Sequence, residues 1–179
     1  MFLQDVLDST VKKLKSQTAN VLTLANLSLG GFAIIVGFNG YLNLSLLLIF
    51  IAALADRFDG MVARKFNIES ELGKQLDSMS DIISFGVAPA LLIYQGILFE
   101  FGAPGAFFVV FYIGCGAFRL ARFNITESNG YFTGLPITAA GVLATLSFLA
   151  LPYIPPQSFL FIMIFLSLLM ISPFKLKKV

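Results

Sequence analysis

Four aspartates are the residues of this sequence with the clearest capacity for chemistry. Asp56 and Asp59 are three residues apart, and Asp77 and Asp81 are four residues apart. On helices, residues at these spacings share a face, so each pair predicts an acidic stripe. The connection between the pairs, about 65–71, is short, so the two helices should be antiparallel neighbours. We therefore expect the four carboxylates to converge.

Converging carboxylates repel one another, and divalent cations would neutralise them. With no His and a single Cys, the chain offers oxygen ligands, which suit Mg, Mn or Ca, and two such ions commonly hold a phosphate during displacement. The small residues Gly60, Ala63 and Gly73 would let a ligand approach the backbone, and Arg64 could donate to a phosphate oxygen. The alternatives are solvated ion pairs for the acids and helix packing for the small residues.

The composition indicates where such a site would lie. Of the 179 residues, 58% are hydrophobic and 12% charged, and the mean hydropathy is +0.88, which excludes an ordinary soluble domain. The chain is therefore expected to be an all-α integral membrane protein forming a single domain over 1–179. Gly, Pro and charged residues divide it into six predicted spans, at about 20–37, 41–65, 72–99, 104–123, 134–151 and 157–174.

Residues 2–15 differ from the six spans. Apolar residues there recur at helical spacing, with acidic and lysine residues opposite them. This pattern predicts an amphipathic helix lying in the membrane interface. The alternative is a solvated amphipathic helix packed on the protein.

The twelve cationic residues predict the orientation of the spans. They are Lys12, Lys13, Lys15, Arg57, Arg64, Lys65, Lys74, Arg119, Arg122, Lys175, Lys177 and Lys178. In the six-span arrangement all of them fall on one side, whereas the turns near 38–40, 100–104 and 152–156 contain no Lys or Arg. The positive-inside rule then predicts that both termini and the acidic cluster are on the cytoplasmic side of the cell membrane.

Residues 56–81 follow a recognisable pattern, D-x2-D-G-x2-A-R-x8-G-x3-D-x3-D. The pattern resembles, at every defined position, the signature of the CDP-alcohol phosphatidyltransferases. Residues 20–27 are similar to the family's nucleotide-binding segment in the first span, although Ala19 stands where many members have Pro. The resemblance implies a six-helix membrane enzyme that binds two divalent metals (Mg or Mn), holds a CDP-linked lipid, and transfers its phosphatidyl group to a hydroxyl with release of CMP.

The same resemblance implies roles for individual residues. Asp56, Asp59 and Asp77 would chiefly be metal ligands, and Asp81 would in addition accept the proton of the attacking alcohol. The cytidine nucleotide and its pyrophosphate would contact Gly60, Ala63, Arg64 and Gly73.

Three further residues are nucleotide candidates with open alternatives. Ser70 matches a hydroxyl position that often contacts the nucleotide phosphates, but it could equally be a turn residue. Thr23 and Asn26, about one turn apart on the first span, could reach the cytidine or ribose, or instead form hydrogen bonds between helices.

The acceptor is suggested by three other segments. Residues 84–89, 118–124 and 132–138 are similar to the phosphatidylserine synthase branch of the family, which implies L-serine as acceptor and CDP-diacylglycerol, or an archaeal ether analogue, as donor. Arg119 and Arg122 could bind the serine carboxylate or a lipid phosphate, although topology alone would also place arginines there.

Two alternatives remain for the function as a whole. The same chemistry with glycerol 3-phosphate or an inositol phosphate as acceptor would use the same acidic signature. A cation transporter would also place acids among spans, but these acids lie at one edge, with few acidic residues deeper to form a path. Nothing predicts a nucleic-acid partner, and a homodimer is compatible with the sequence.

Overall fold

The computed structural model describes the backbone of residues 2–66, 70–125 and 131–177; it does not describe the side chains of 2–16, 18, 19, 59, 62–66, 131–133 and 175–177. The helices are α1 (Phe2–Phe38), α2 (Leu42–Phe66), α3 (Glu71–Asp81), α4 (Ala88–Gly96), α5 (Ala103–Ile125), α6 (Ile137–Phe148) and α7 (Ser158–Ile171). A π-helical turn, Ile82–Val87, joins α3 to α4, and a 3-10 turn, Leu98–Phe101, precedes α5.

Helix α1 is a single element of 37 residues. The sequence predicted an interfacial helix over 2–15 and a span from about 20; the structure shows both as parts of one continuous helix, and the placement of 2–15 in the interface stays a prediction. The linking residues 16–19 contain neither Gly nor Pro, so nothing there ends the helix. At about 1.5 Å per residue, α1 is about 55 Å long, which exceeds the roughly 30 Å thickness of the hydrocarbon layer.

Helices α1 and α2 form an antiparallel hairpin closed by a tight turn. Gly40 has φ of +85°, a conformation that a residue without Cβ adopts readily, and the Tyr41 N–H donates to the Val36 carbonyl. At the start of α3, the Ser70 side chain caps the helix by accepting a hydrogen bond from the Gly73 N–H at 3.0 Å.

Helix α3, the π turn and α4 form one continuous helical rod over Glu71–Gly96. Its central part is buried, including Phe85, Ala90 and Ile93, which are fully covered by neighbouring helices. Helices α1, α2, α5 and α6 all pack against the rod. The rod is therefore the axis around which the other helices are arranged.

Three of the described helical stretches are long and apolar enough to cross a membrane: Asn20–Phe38, Glu71–Gly96 and Ala103–Ile125. Helices α6 and α7 are apolar but contain only 12 and 14 residues, shorter than the predicted fifth and sixth spans. Phe107, Val110 and Phe161 are more than 60% exposed, as expected of side chains that face lipid. These features indicate an integral membrane protein, and the six-span arrangement stays a prediction.

A short antiparallel ribbon departs from the predicted all-α fold. Strand β1 (Tyr131–Thr133) pairs with β2 (Lys175–Lys177). Next to it, the Gly134 N–H donates to the Phe174 carbonyl and the Leu135 N–H to the Leu169 carbonyl. The ribbon thus holds the start of α6 against the end of α7. Strands of three residues are too short to show the alternation of apolar and polar residues from which strands are predicted.

Candidate active site

Three of the four predicted acids, one on α2 and two on α3, lie together. Carboxylate oxygens of Asp56, Asp77 and Asp81 all lie within 4.8 Å of one another. Asp56 and Asp77 are half-buried, and Asp81 is buried. The backbone of Asp59 is on α2, one turn beyond Asp56, and its side chain lies outside the described part of the chain. The predicted spacing therefore produces the expected convergence for three acids.

The Asp81 carboxylate has an atom for which the described residues provide no partner. Its Oδ1 is buried and accepts no hydrogen bond from any of them. A buried carboxylate oxygen without a donor is costly unless a cation or a substrate proton satisfies it. Three clustered carboxylates with one such oxygen fit a hard divalent metal.

Asn26 lies against this cluster. Its side chain is fully buried on α1, and its Nδ2 is 3.5 Å from Asp56 Oδ1, at the long limit of a hydrogen bond. Its Oδ1, like that of Asp81, accepts no hydrogen bond from the described residues. The structure therefore places Asn26 beside an acid as well as on the helix where a nucleotide contact was predicted.

Two serines that the sequence analysis did not single out fasten α1 to the acid-bearing rod. The Ser80 hydroxyl donates to the Thr23 carbonyl at 3.2 Å, and the Ser84 hydroxyl donates to the Asn26 carbonyl at 3.1 Å. A Cβ added to Gly30 would lie 2.8 Å from the Ser84 Cα, so only glycine permits this approach. The sequence feature that could have predicted these hydrogen bonds is the pair Ser80 and Ser84, two small polar residues one turn apart that precede and follow Asp81.

The start of α3 supports the turn interpretation of Ser70. Its Oγ is occupied as the acceptor for Gly73, and a Cβ at Gly73 would lie 3.1 Å from that Oγ and 3.3 Å from Asn20 Oδ1. Any other residue at position 73 would therefore need small shifts of the Ser70 and Asn20 side chains. Gly60 is half-buried on α2, and the backbones of Ala63 and Arg64 follow it on the same helix.

A polar contact that the sequence analysis missed ties α3 to the end of α5. The Lys74 ammonium donates to the Asn124 carbonyl at 3.2 Å, and the Asn124 Nδ2 donates to the Ser78 Oγ at 2.9 Å. These bonds draw the last turn of α5 towards the helix that carries Asp77 and Asp81. They join α3 to the helix that carries the predicted acceptor arginines.

The two arginines of α5 have different surroundings. Arg119 is 6% exposed, lies 5.4 Å from the centre of the Phe123 ring, and is close enough to Asp81 for the two charges to interact. Its Nε donates to no described residue. Arg122 instead donates through Nη1 to the Ile171 carbonyl at the end of α7, at 3.3 Å. Arg119 is thus associated with the acids, and Arg122 with helix packing.

Comparison with known proteins identifies the family. The model of the CDP-alcohol phosphatidyltransferase family matches residues 16–173. The chain belongs to this family. The resemblance found in residues 56–81 is therefore confirmed, and the protein is a transferase of the CDP-alcohol type. CDP-alcohol phosphatidyltransferases use divalent metals, and the cluster of Asp56, Asp77 and Asp81 could hold one.

Several curated members of the CDP-alcohol phosphatidyltransferase family are similar over much of the chain. The archaetidylserine synthase of Methanothermobacter thermautotrophicus is 40% identical over 174 residues, covering 94% of this chain and 73% of the relative. The CDP-diacylglycerol–serine O-phosphatidyltransferase of Bacillus subtilis is 39% identical over 130 residues, covering 72% and 73%. The enzyme of the same name from Helicobacter pylori is 40% identical over 134 residues, covering 71% and 55%.

Proposed function

We propose that this protein is a phosphatidylserine synthase. It transfers the phosphatidyl group of CDP-diacylglycerol, or of the archaeal ether analogue, to the hydroxyl of L-serine and releases CMP. The observation that carries the proposal is the convergence of Asp56, Asp77 and Asp81, three of the four acids in the pattern of residues 56–81, in a chain that belongs to the family. The choice of serine is supported by the names of the relatives, which include both ester-lipid and archaeal enzymes.

Asp56, Asp59, Asp77 and Asp81 would together hold two divalent ions, Mg or Mn. When bound, such ions neutralise the carboxylates and stabilise negative charge on the pyrophosphate during displacement. The support for this assignment is the clustered carboxylates and the buried Asp81 oxygen that no described residue satisfies. Arg64, on α2 beyond Asp59, would donate to a phosphate oxygen.

Asp81 acts as the general base in this proposal. The serine hydroxyl oxygen forms a bond to the phosphorus of the phosphatidyl group, the bond from that phosphorus to CMP breaks, and the hydroxyl proton passes to the Asp81 carboxylate. Asp81 is the most buried of the three clustered acids, so its carboxylate is shielded from water that would compete with serine.

The CDP-lipid would lie along α1, α2 and the start of α3. Gly60, Ala63 and Gly73 would let the nucleotide approach the backbone, and Thr23 and Asn26 are buried on α1, where Asn26 lies next to Asp56. Ser70 contributes indirectly, because its occupied hydroxyl shapes the first turn of α3 around Gly73.

Arg119 is our candidate for binding the serine carboxylate. It is buried, its Nε donates to no described residue, and its charge interacts with that of Asp81, so a serine carboxylate bound at Arg119 would bring the serine hydroxyl towards the proposed base. Arg122 is assigned to the lipid phosphate or to packing, since it already contacts the Ile171 carbonyl.

The proposal includes a membrane arrangement. The chain would form a single domain with six spans, both termini and the acids on the cytoplasmic side of the cell membrane, because that arrangement places all the cationic residues on one side. Placement of 2–15 in the interface would require α1 to bend between 15 and 20. Single cysteines introduced at positions 8 and 154 of a Cys115→Ala variant would test this orientation. A reagent that does not cross the membrane should label position 8 from the cytoplasmic side and position 154 from the opposite side.

The decisive experiment compares acceptors. Purified protein in detergent or nanodiscs is given CDP-diacylglycerol, Mn and radiolabelled serine, glycerol 3-phosphate or inositol phosphate, and lipid product and CMP are measured. Serine-dependent formation of both products is expected. Transfer to another acceptor in preference to serine would overturn the proposed substrate. Thermal protection by metal alone, with none added by CDP, would instead favour cation binding without transfer.

A further inference from the structure

The helical rod changes geometry directly after Asp81. Helix α3 ends at Asp81, and in the following π turn the Ala88 N–H donates to the carbonyl of Ile83, five residues earlier. A π turn accommodates one more residue than an α turn, so it rotates the residues before it relative to those after it. The direction of the Asp81 carboxylate, relative to the packed α4, therefore depends on this turn.

Pro89 is the sequence feature that accounts for the turn. A regular helix would need the residue 89 N–H to donate to the Phe85 carbonyl, but proline has no N–H and its ring crowds that carbonyl. The donor comes instead from α5, where the Tyr112 hydroxyl donates to the Phe85 carbonyl at 3.1 Å. Tyr112 and Phe85 are both fully buried, and in a membrane a carbonyl left without a partner is costly.

Two other helices constrain the same turn. From α1, the Asn26 carbonyl accepts the Ser84 hydroxyl. From α6, Gly141 packs so closely that an added Cβ would lie 2.6 Å from the Phe85 oxygen. Among these contacts, the Tyr112 hydroxyl is the one that donates to the Phe85 carbonyl, and Tyr112→Phe removes it with little change in side-chain volume.

We propose that Tyr112 is a positioning residue for the transfer reaction: its hydroxyl holds the Phe85 carbonyl and the π turn, and the turn directs the Asp81 carboxylate towards Asp56 and Asp77. The hydroxyl of Tyr112 bonds to the Phe85 carbonyl, so its proposed effect on Asp81 is indirect and passes through the π turn. The kinetic test of this inference rests on the proposed function. Hydrogen exchange of the amides in the π turn tests the role of Tyr112 in holding the turn without depending on that function.

The test compares Tyr112→Phe with Tyr94→Phe, which makes the same chemical change on α4, where Tyr94 contacts Phe99 edge-to-face. For Tyr112→Phe, we expect amide exchange over 82–88 to accelerate roughly tenfold, since the bond that anchors the turn is gone. We expect kcat to fall roughly tenfold to a hundredfold, with KM for both substrates within about twofold, because the base is misplaced and substrate contacts remain. Tyr94→Phe should match the wild type in both measurements.

A second variant separates positioning from simple stabilisation. Pro89→Ala in the Tyr112→Phe background supplies an N–H for the Phe85 carbonyl, so thermal stability should return while kcat stays low, because a regular α turn no longer directs Asp81 correctly. Recovery of both would show that Tyr112 only stabilises the fold and would overturn the proposal, as would wild-type kcat and exchange in Tyr112→Phe. A wild-type protein without serine transfer would refute the proposed function, whereas the exchange result would still decide whether Tyr112 holds the turn.

Discussion

The helical rod and the α6–α7 pair use their buried hydroxyl groups in opposite ways. On the rod, Ser80 and Ser84 donate across to carbonyls of α1. On α6 and α7, Thr145 and Ser167 donate to carbonyls of their own helices, Gly141 and Met163. Polar bonds between helices are thus found where the carboxylates must be held in place, whereas α6 and α7 pack largely through apolar contacts.

The largest effect should come from Asp81→Asn, at the acid-bearing end of the rod. The amide keeps the shape and one oxygen but cannot accept a proton, so serine transfer should fall to background while thermal protection by CDP with Mn largely persists. The measurement is turnover titrated with Mg or Mn. Recovery to near the wild-type rate at saturating metal would make Asp81 a ligand only.

Asp56→Asn and Asp77→Asn should reduce turnover at limiting metal by at least roughly a hundredfold, since each removes a charged ligand. In contrast with Asp81→Asn, excess metal should recover part of the activity. Glu100→Gln provides the matched acid-to-amide control, because Glu100 is exposed in the 3-10 turn before α5. Metal titrations of Asp56→Asn or Asp77→Asn that superimpose on the wild type would remove that residue from the site.

Arg119→Ala and Arg122→Ala should separate substrate binding by α5 from its packing against α7. Loss of a charge-assisted hydrogen bond costs about 1.5–3 kcal/mol, so Arg119→Ala should raise the KM for serine roughly tenfold to a hundredfold with a smaller change for CDP-diacylglycerol. Arg122→Ala should chiefly lower thermal stability, because it loses its bond to α7. A shift confined to the lipid KM in Arg119→Ala would assign that residue to the lipid phosphate.

The smallest effect is expected from removing single buried hydroxyl groups, one on the rod and one on α7. Ser84→Ala and Ser167→Ala each remove one buried hydroxyl and should each cost about 1 kcal/mol of stability. Turnover should fall several-fold only in Ser84→Ala, since its bond joins α1 to the rod next to Asp81. Equal turnover in the two variants at equal folded fraction would mean that the bonds between helices contribute stability alone.

The sequence predicted those features of the site that depend on spacing within one helix. Asp56, Asp77 and Asp81 converge because their positions set the faces they occupy and the short turn makes α2 and α3 neighbours. Contacts between elements distant in the chain were missed, such as Ser84 with Asn26, because they depend on how each helix is rotated. The π turn was missed for the same reason. Pro89 shows from sequence that the Phe85 carbonyl lacks its usual backbone N–H donor, but not that the Tyr112 hydroxyl takes its place.

Asp56 and Asp59 lie in the second half of α2 and Asp77 and Asp81 in the second half of α3, and this position bears on how the chain enters the membrane. In the proposed orientation, the helices can insert as hairpins whose translocated turns, near 38–40, 100–104 and 152–156, carry Glu100 as their only charge. A charged residue at the centre of the bilayer costs about 2.5–3.5 kcal/mol during translocon insertion. None of the carboxylates proposed for catalysis has to make that crossing in this orientation, so a strongly charged site can be assembled from helices that the insertion machinery still accepts as hydrophobic.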